Sequence, residues 1–408
     1  MGPIIWRWCR TVLDKEELPS INILSFISPL LKPGKNPGDP ASYRPVALTE
    51  LLVRILEKLL QKHMQEHAEK FNLFSKAQHG FRSRRSTISN ILRSQHKILE
   101  ELIKGKTVDN IFLNLSKAFD KVPTVQLVRR LKRCGFRGKV LQFCRNFLEN
   151  RKQIVIANGK ASEEREVTSG TPQGACLSPL FFCLYISPVV ELLETYTKEE
   201  TKAQKDIPEK HKRKNWKHMF AGDTKLSGSL TEEKDMDSLQ KYLDITLNWM
   251  EKMGMTVNSD KNYVVRVGSI KQNRTYFAGE EPIKFTSSMR DLGLQFCSDG
   301  SYKEQVGIAA KKAARKANWV LRVFRNRSID FFKNIFTSLI QPHLDYGCPV
   351  WSPSTQKSIT VIEDVLRRFS KRCPGISHLH YWDRLKKLGL NSMRGGGSIT
   401  QSSTYSRS

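Results

Sequence analysis

The sequence predicts an α+β fold of more than one lobe. Three observations carry this: apolar runs that end in hairpin turns (Gln153 to Ala157 before Asn158-Gly159, and Met219-Phe220 before Gly222-Asp223), long segments whose apolar residues recur at helical spacing (50–71 and 303–325), and a length of 408 residues, enough to bury two or three cores. The 68 Lys and Arg outnumber the 40 Asp and Glu, giving +28. Such an excess favours a phosphate-bearing partner over a membrane, because each neutralised phosphate releases counterions. Eight cysteines without a CxxC pair or zinc-knuckle spacing argue for a reducing, intracellular compartment, nucleus or cytoplasm, and against structural zinc. Trp6 to Arg10 interrupts any apolar run at the start, so no secretory signal is expected there.

Taken in order, Ile21 to Leu31 is a short strand or a buried helix, and Lys32 to Pro40 a rigid basic loop that returns to an extended segment at Ser42 to Leu48. Residues 50–71 form a helix with Leu52, Ile55, Leu56, Leu59 and Leu60 on one side. In Gln78 to Thr87 (QHGFRSRRST) a glycine precedes an aromatic and three arginines. That run is either an anion-binding segment, since glycine permits approach and arginine forks onto phosphate, or a solvated basic turn. A second amphipathic helix follows over 88–104, then a buried strand over 109–115. Residues 125–148 are helical and broken by Gly135 and Gly138. The strand ending at Asn158-Gly159 and its return, Arg165 to Thr168, lead into Gly170-Thr171-Pro172-Gln173-Gly174, a loop of fixed shape that presents one amide and bare backbone.

Ala175 to Val190 lacks charge but is short, and Pro179 and Pro188 divide it; it reads as a buried core helix, kinked or ended near Pro188. From Glu194 to His218 the composition turns charged and polar, an exposed insertion by that measure. Met219 to Leu226 (MFAGDTKL) then forms a hairpin with an acid at its tip, and a helix ending at Gly254 leads to Asn258-Ser259-Asp260-Lys261. The helix over 303–325 sets Val306, Ala309, Ala313, Ala317, Val320 and Phe324 on one side, with Lys311, Lys312, Arg315 and Lys316 on another: a basic face suited to a duplex, or a plain solvated one. Residues 391–408 are Gly, Ser and Thr rich and expected to be a disordered tail.

Four motifs in fixed order, Phe112 to Asp120 (FLNLSKAFD), Thr171 to Pro179 (TPQGACLSP), MFAGDTKL and NSDK, resemble the palm of a reverse transcriptase of the non-LTR (LINE-type) retrotransposon branch. The resemblance runs from Leu31 to Leu390 and implies a right-hand polymerase fold: an N-terminal remnant over 1–30, fingers over 31–108, a palm of antiparallel sheet backed by helices over 109–300 with the charged insertion at 194–218, and a thumb and post-thumb helical region over 301–390. It implies RNA-directed DNA synthesis on an RNA template and DNA primer from deoxynucleoside triphosphates, driven by two Mg2+ ions about 3.5 to 4 Å apart. By the same resemblance Arg82 faces the triphosphate, Gln173 and Gly174 pack on the sugar and base, and Lys261 lies beside the departing pyrophosphate. Phe119 matches the steric gate under the sugar, or is a core phenylalanine. Arg290 to Leu294 resembles the hairpin that grips the primer.

The family's three metal carboxylates fall on Asn114, Gly222 and Asp223, so only Asp223 remains as a metal ligand. Magnesium selects hard anionic oxygens, and an amide brings no charge. Asp120 does not substitute, because six further strand residues would place it roughly 20 Å away. The expectation is a reverse transcriptase fold with little or no polymerase activity; an inactive nucleic-acid-binding descendant and a degenerate translation with no selected role are the alternatives. The endonuclease and cysteine-rich knuckle usual in such elements are missing from these residues, which reads as a fragment of a retrotransposon protein.

Overall fold

The computed structural model describes residues 2–16, 24–208, 211–271, 273–325, 328–353 and 355–393. It divides into two compact units, one of Met1–Ser86, Asp109–Val264 and Ile270–Lys284, the other of Thr87–Val108, Val265–Ser269 and Phe285–Ser408. Most of the expected tail, from residue 394 onward, lies outside the described residues.

In the first unit a helix, Gly2–Lys15, precedes the strand Leu24–Leu31, which settles the first open element. That strand pairs antiparallel with Tyr43–Leu48 and parallel with Arg151–Ala157. Asn158 and Gly159 turn the chain with φ of +52 and +74, the double left-handed signature of a type I′ hairpin, and Arg165–Val167 pairs back on the same strand. The helix Leu51–Lys70 buries Val53, Leu56, Leu60, Met64 and Ala68 together with Glu57. Leu59, expected inward, is 52% exposed, because the buried stripe is rotated from the one the leucines suggest.

A six-stranded sheet has the order Tyr276–Ala278, Glu281–Phe285, Tyr263–Val267, Thr107–Leu113, Asp223–Leu230, Asn215–Phe220. Thr107–Leu113 is buried at every position, as a strand with neighbours on both sides and covered faces requires. The helices Thr124–Arg133 and Gly138–Leu148 are separated at Gly135, whose φ is +91. Ser178–Ile186 and Pro188–Ala203 are likewise two helices, the second opened by Pro188 at its first turn. Together they have the length and hydropathy of a membrane span, yet Leu180 to Ile186 are all buried within the protein.

Two expectations need correcting. Residues 194–218 are not an exposed insertion throughout: their first part continues the helix to Ala203, and Asn215–Phe220 is a largely buried strand. Part of its polar character is met inside the protein, which is why composition misleads. Asn215 Nδ2 donates to Ser238 Oγ (2.6 Å) and Glu200 Oε2 (3.1 Å), while Gln204 Oε1 accepts from the Arg213 amide (2.6 Å). The hairpin turn is Ala221-Gly222, with Phe220 paired to Asp223, so Asp223 opens the return strand instead of sitting at the tip. Ala221, not Gly222, takes the left-handed φ of +53.

The second unit contains the helices Thr87–Ile103, Lys303–Val323, Gln356–Ser370 and Tyr381–Leu388 and the hairpin Ser288–Asp291 with Leu294–Cys297. The expected seam Val306, Ala309, Ala313, Ala317 and Val320 is buried. The hairpin turns at Leu292-Gly293 (φ +45 and +94), and Tyr346 Oη donates to Leu292 O at 2.7 Å with its ring against Gly293. Tyr346 thus holds this turn from a segment 54 residues further along the chain.

Candidate catalytic centre

Asn114 follows directly on the fully buried strand Thr107–Leu113. Its N–H donates to Asn262 Oδ1 (3.4 Å), its carbonyl accepts from the Asn258 amide (2.8 Å), and Leu115–Ser116 pairs with Thr256–Val257. The NSDK segment is therefore a hydrogen-bonded neighbour of the first expected metal position. Lys261 stands exposed at the end of its 3-10 turn, Ser259–Lys261.

Three side-chain pairs cross from this strand to Asp223–Leu230 at the two-residue spacing of a single sheet face. Ser227 Oγ donates to Asn110 Oδ1 (2.8 Å), the Lys225 ammonium lies 5.4 Å from the Phe112 ring centre, and Asn114 Nδ2 donates to Asp223 Oδ1 (2.9 Å). The expected catalytic positions are thus brought together, and the donor end of the amide faces the carboxylate. Gly222 adds no ligand; a Cβ built there would lie 3.3 Å from Ala118 Cβ and 3.6 Å from Leu115, so a side chain fits only if the Ala118 segment gives by a few tenths of an ångström.

These residues do not fit a two-magnesium centre. One carboxylate remains, and an amide N–H already engages one of its two oxygens. Among the described residues no cluster of three or more His, Cys, Asp or Glu side chains is arranged to hold a metal.

The turn is held from outside by Gln78, which sequence reasoning passed over in favour of the arginines beside it. The Gln78 Oε1 accepts from the Ala221 amide (2.9 Å) and the Gly80 amide (2.8 Å), and its Nε2 donates to Ala221 O (3.2 Å). The available signal was Gly80 in the QHG run. A Cβ there would lie 2.4 Å from Ala221 N, so only glycine permits this approach.

Arg82 forks onto Glu69, with Nε to Oε1 at 3.1 Å and Nη2 to Oε2 at 2.5 Å, and Nη1 donates to Ser75 O at 2.8 Å. The Arg82 side chain is 9% exposed and its guanidinium lies over Phe74, so in this conformation it faces protein partners. Phe119 packs on Phe182, with ring centres 4.8 Å apart, and meets Phe81 edge-on at 6.3 Å, leaving it half-buried.

The PQG loop is built onto the same segment. Thr171 N donates to Phe119 O (2.8 Å), Gln173 Nε2 to Asp120 Oδ1 (2.8 Å), and Ala47 N to Gln173 O (2.6 Å). Asp120 therefore braces the loop. Gly174, at φ +115, passes so close to Ala47 that a Cβ would sit 2.9 Å from its carbonyl oxygen. Arg151, which the sequence did not single out, donates through Nη2 to Ser169 O (3.1 Å) and Gly170 O (2.6 Å). Burial draws its pKa down to about 10, with Asp120 opposing the shift, so it stays cationic at neutral pH. Asp120, Arg151, Gln153, Thr171, Gln173 and Ala47 border a cavity of about 330 Å³ behind the loop.

Residues 31–294 match the family described as reverse transcriptase (RNA-dependent DNA polymerase). The chain is 24% identical over 360 residues to a probable RNA-directed DNA polymerase from transposon X-element of Drosophila melanogaster, covering 86% of this chain and 38% of that protein. It is 25% identical over 377 residues to the RNA-directed DNA polymerase from mobile element jockey of the same fly, covering 90% of this chain and 39% of that protein. A Pol polyprotein from type-1 retrotransposable element R2 of Popillia japonica is 25% identical over 229 residues, covering 54% of this chain and 36% of that protein. This chain thus spans under two fifths of the length of each of these relatives. The structure of apo telomerase from Candida tropicalis superposes with a TM-score of 0.52 at 11% identity, over 94% of this chain and 66% of the other, which shows the right-hand polymerase fold. Members of the reverse transcriptase family use a divalent metal, typically Mg2+. With its motifs converging on one sheet end and the family match spanning most of its length, this chain belongs to the reverse transcriptases, in the branch carried by non-LTR (LINE-type) retrotransposons.

Proposed function

We propose that this chain is a reverse transcriptase domain that keeps its nucleic-acid-binding fold while nucleotide addition is lost or nearly lost. The observation that carries this reading is the hydrogen bond from Asn114 to Asp223, with glycine at 222. Nucleotidyl transfer needs metal-activated attack by the primer 3′-hydroxyl and metal-assisted departure of pyrophosphate. Losing several kcal/mol of that stabilisation costs several orders of magnitude in rate, at tenfold per about 1.4 kcal/mol. An RNA template, a DNA primer and deoxynucleoside triphosphates are the ligands in this reading. Phe119, Gln173 and Gly174 line the nucleotide, and the exposed Lys261 is open to phosphate. Arg82 would join them only by leaving Glu69. The compartment is intracellular, nucleus or cytoplasm, in keeping with eight unbridged cysteines.

The test is primer extension on an RNA template with a DNA primer, in magnesium and in manganese, comparing the parent with the double variant Asn114→Asp/Gly222→Asp. The parent should be silent and the double variant should extend. Extension by the parent would overturn the reading. Silence in both would move the lesion away from the two side chains.

A further inference from the structure

We infer that Gln78 is the positioning residue of the palm turn, the side chain that sets where positions 222 and 223 point. The inference rests on the reading of that turn as the metal-bearing one, but its central observation does not. Gln78 is 1% exposed, and its single amide group satisfies both backbone polar groups of Ala221 while also accepting from Gly80. Ala221 needs this support. Its φ of +53 is disfavoured for a residue with a Cβ, and such backbone persists only where its surroundings over-determine it. The surroundings here are unusually complete. Met219 N donates to Ala77 O (3.0 Å) and His79 N to Met219 O (2.9 Å), a parallel bridge that carries Gln78 alongside the hairpin strand, and Gly80 leaves the space through which the contact is made. A two-residue turn with one left-handed residue can tilt about its flanking pairs. A side chain gripping both the N–H and the C=O of that residue removes the tilt. The first half of the QHGFR segment thus acts on the palm, while Arg82 is tied to Glu69.

The experiment is hydrogen exchange of the full chain with Gln78→Ala and Gln78→Glu. In Gln78→Ala the amides of 219–224 should exchange at least tenfold faster, while Thr107–Leu113 keeps its protection. Gln78→Glu keeps the acceptor for the Ala221 N–H but sets an oxygen against the Ala221 carbonyl, so it should restore only part of the protection at Ala221. Unchanged exchange in the hairpin overturns the inference, and so does a uniform loss of protection across the sheet, which would make Gln78 a general stabiliser. In the Asn114→Asp/Gly222→Asp background, Mn2+ alone serves as a second probe. Gln78→Ala should weaken Mn2+ binding at least tenfold while affinity for an RNA–DNA duplex changes less than twofold. If that background binds no Mn2+, the metal reading of the turn fails while the exchange result still decides the role of Gln78.

Discussion

At the scale of single residues, Asn114 differs from aspartate by one amide in place of one oxygen, yet that change reverses what its end presents. An aspartate facing Asp223 would be a like charge that a cation or a shared proton relieves; the asparagine donates to it at 2.9 Å and needs neither. Asn114→Asp alone is therefore expected to lower stability in chelator by about 1 kcal/mol and to regain it on adding Mn2+. The parent should show no metal-dependent rise in Tm, and thermal melts with and without metal check both. Arg82 supports a second expectation. Arg82→Ala removes the cation from Glu69, leaving it only the Gln65 amide, and takes the donor from the Ser75 carbonyl; it should cost about 3 kcal/mol in urea unfolding. Arg82→Lys should recover only part of it, since an ammonium cannot span both carboxylate oxygens and the carbonyl.

At the scale of elements, the helix Leu51–Lys70 meets the start of Ser178–Ile186 through Glu57. Its Oε2 accepts from the Leu177 amide at 3.2 Å, and its Oε1 has no partner among the described residues. Burial dominates and pushes this carboxyl up from 4.5 to about 7, with the Leu177 and Cys176 amides and Arg54 acting in the opposite sense. Because the folded value is raised, the stability Glu57 contributes is fully present below pH 4.5 and lost as pH rises through about 7. The loss across that window is about 3 kcal/mol. Glu57→Gln should flatten this slope and make the protein more stable than the parent at pH 8, read from urea midpoints at pH 5 and 8. In the second unit, Tyr346→Phe removes the bond to Leu292 O and should cost about 1 kcal/mol, with faster exchange in the Ser288–Cys297 hairpin.

At the scale of the whole molecule, the charge of +28 has a concentrated part. In the second unit a groove of about 750 Å³ between Lys303–Val323 and Gln356–Ser370 is rimmed by Lys311, Arg322, Arg368, Lys371 and Arg372. RNA affinity should fall steeply with salt, as it does for any binding that releases counterions, and reversing Lys311, Arg368 and Arg372 to glutamate should reduce the log–log slope by about 2. Filter binding between 50 and 200 mM salt, at about those two limits, measures this without any catalysis. An affinity indifferent to salt would remove charge as the basis of binding.

The sequence by itself determined the family, the order of the motifs and the missing carboxylates. These depend on residue identity and spacing, and they survive as strings: the Asn158-Gly159 turn, the alanine seam of 303–323 and the break at Pro188 were all legible for the same local reason. Only the tertiary structure decided who partners whom. Composition made 194–218 look solvated, whereas Asn215, Trp216 and His218 are buried, and the Asn215 amide finds its partners on Glu200 and Ser238, 15 and 23 residues along the chain. Gln78 and Arg151 carry no motif of their own, and their roles exist because the turn 143 residues away, and the loop 18 and 19 residues away, fold against them. Hydrogen bonds are set by distance and direction in space, and sequence separation says little about either.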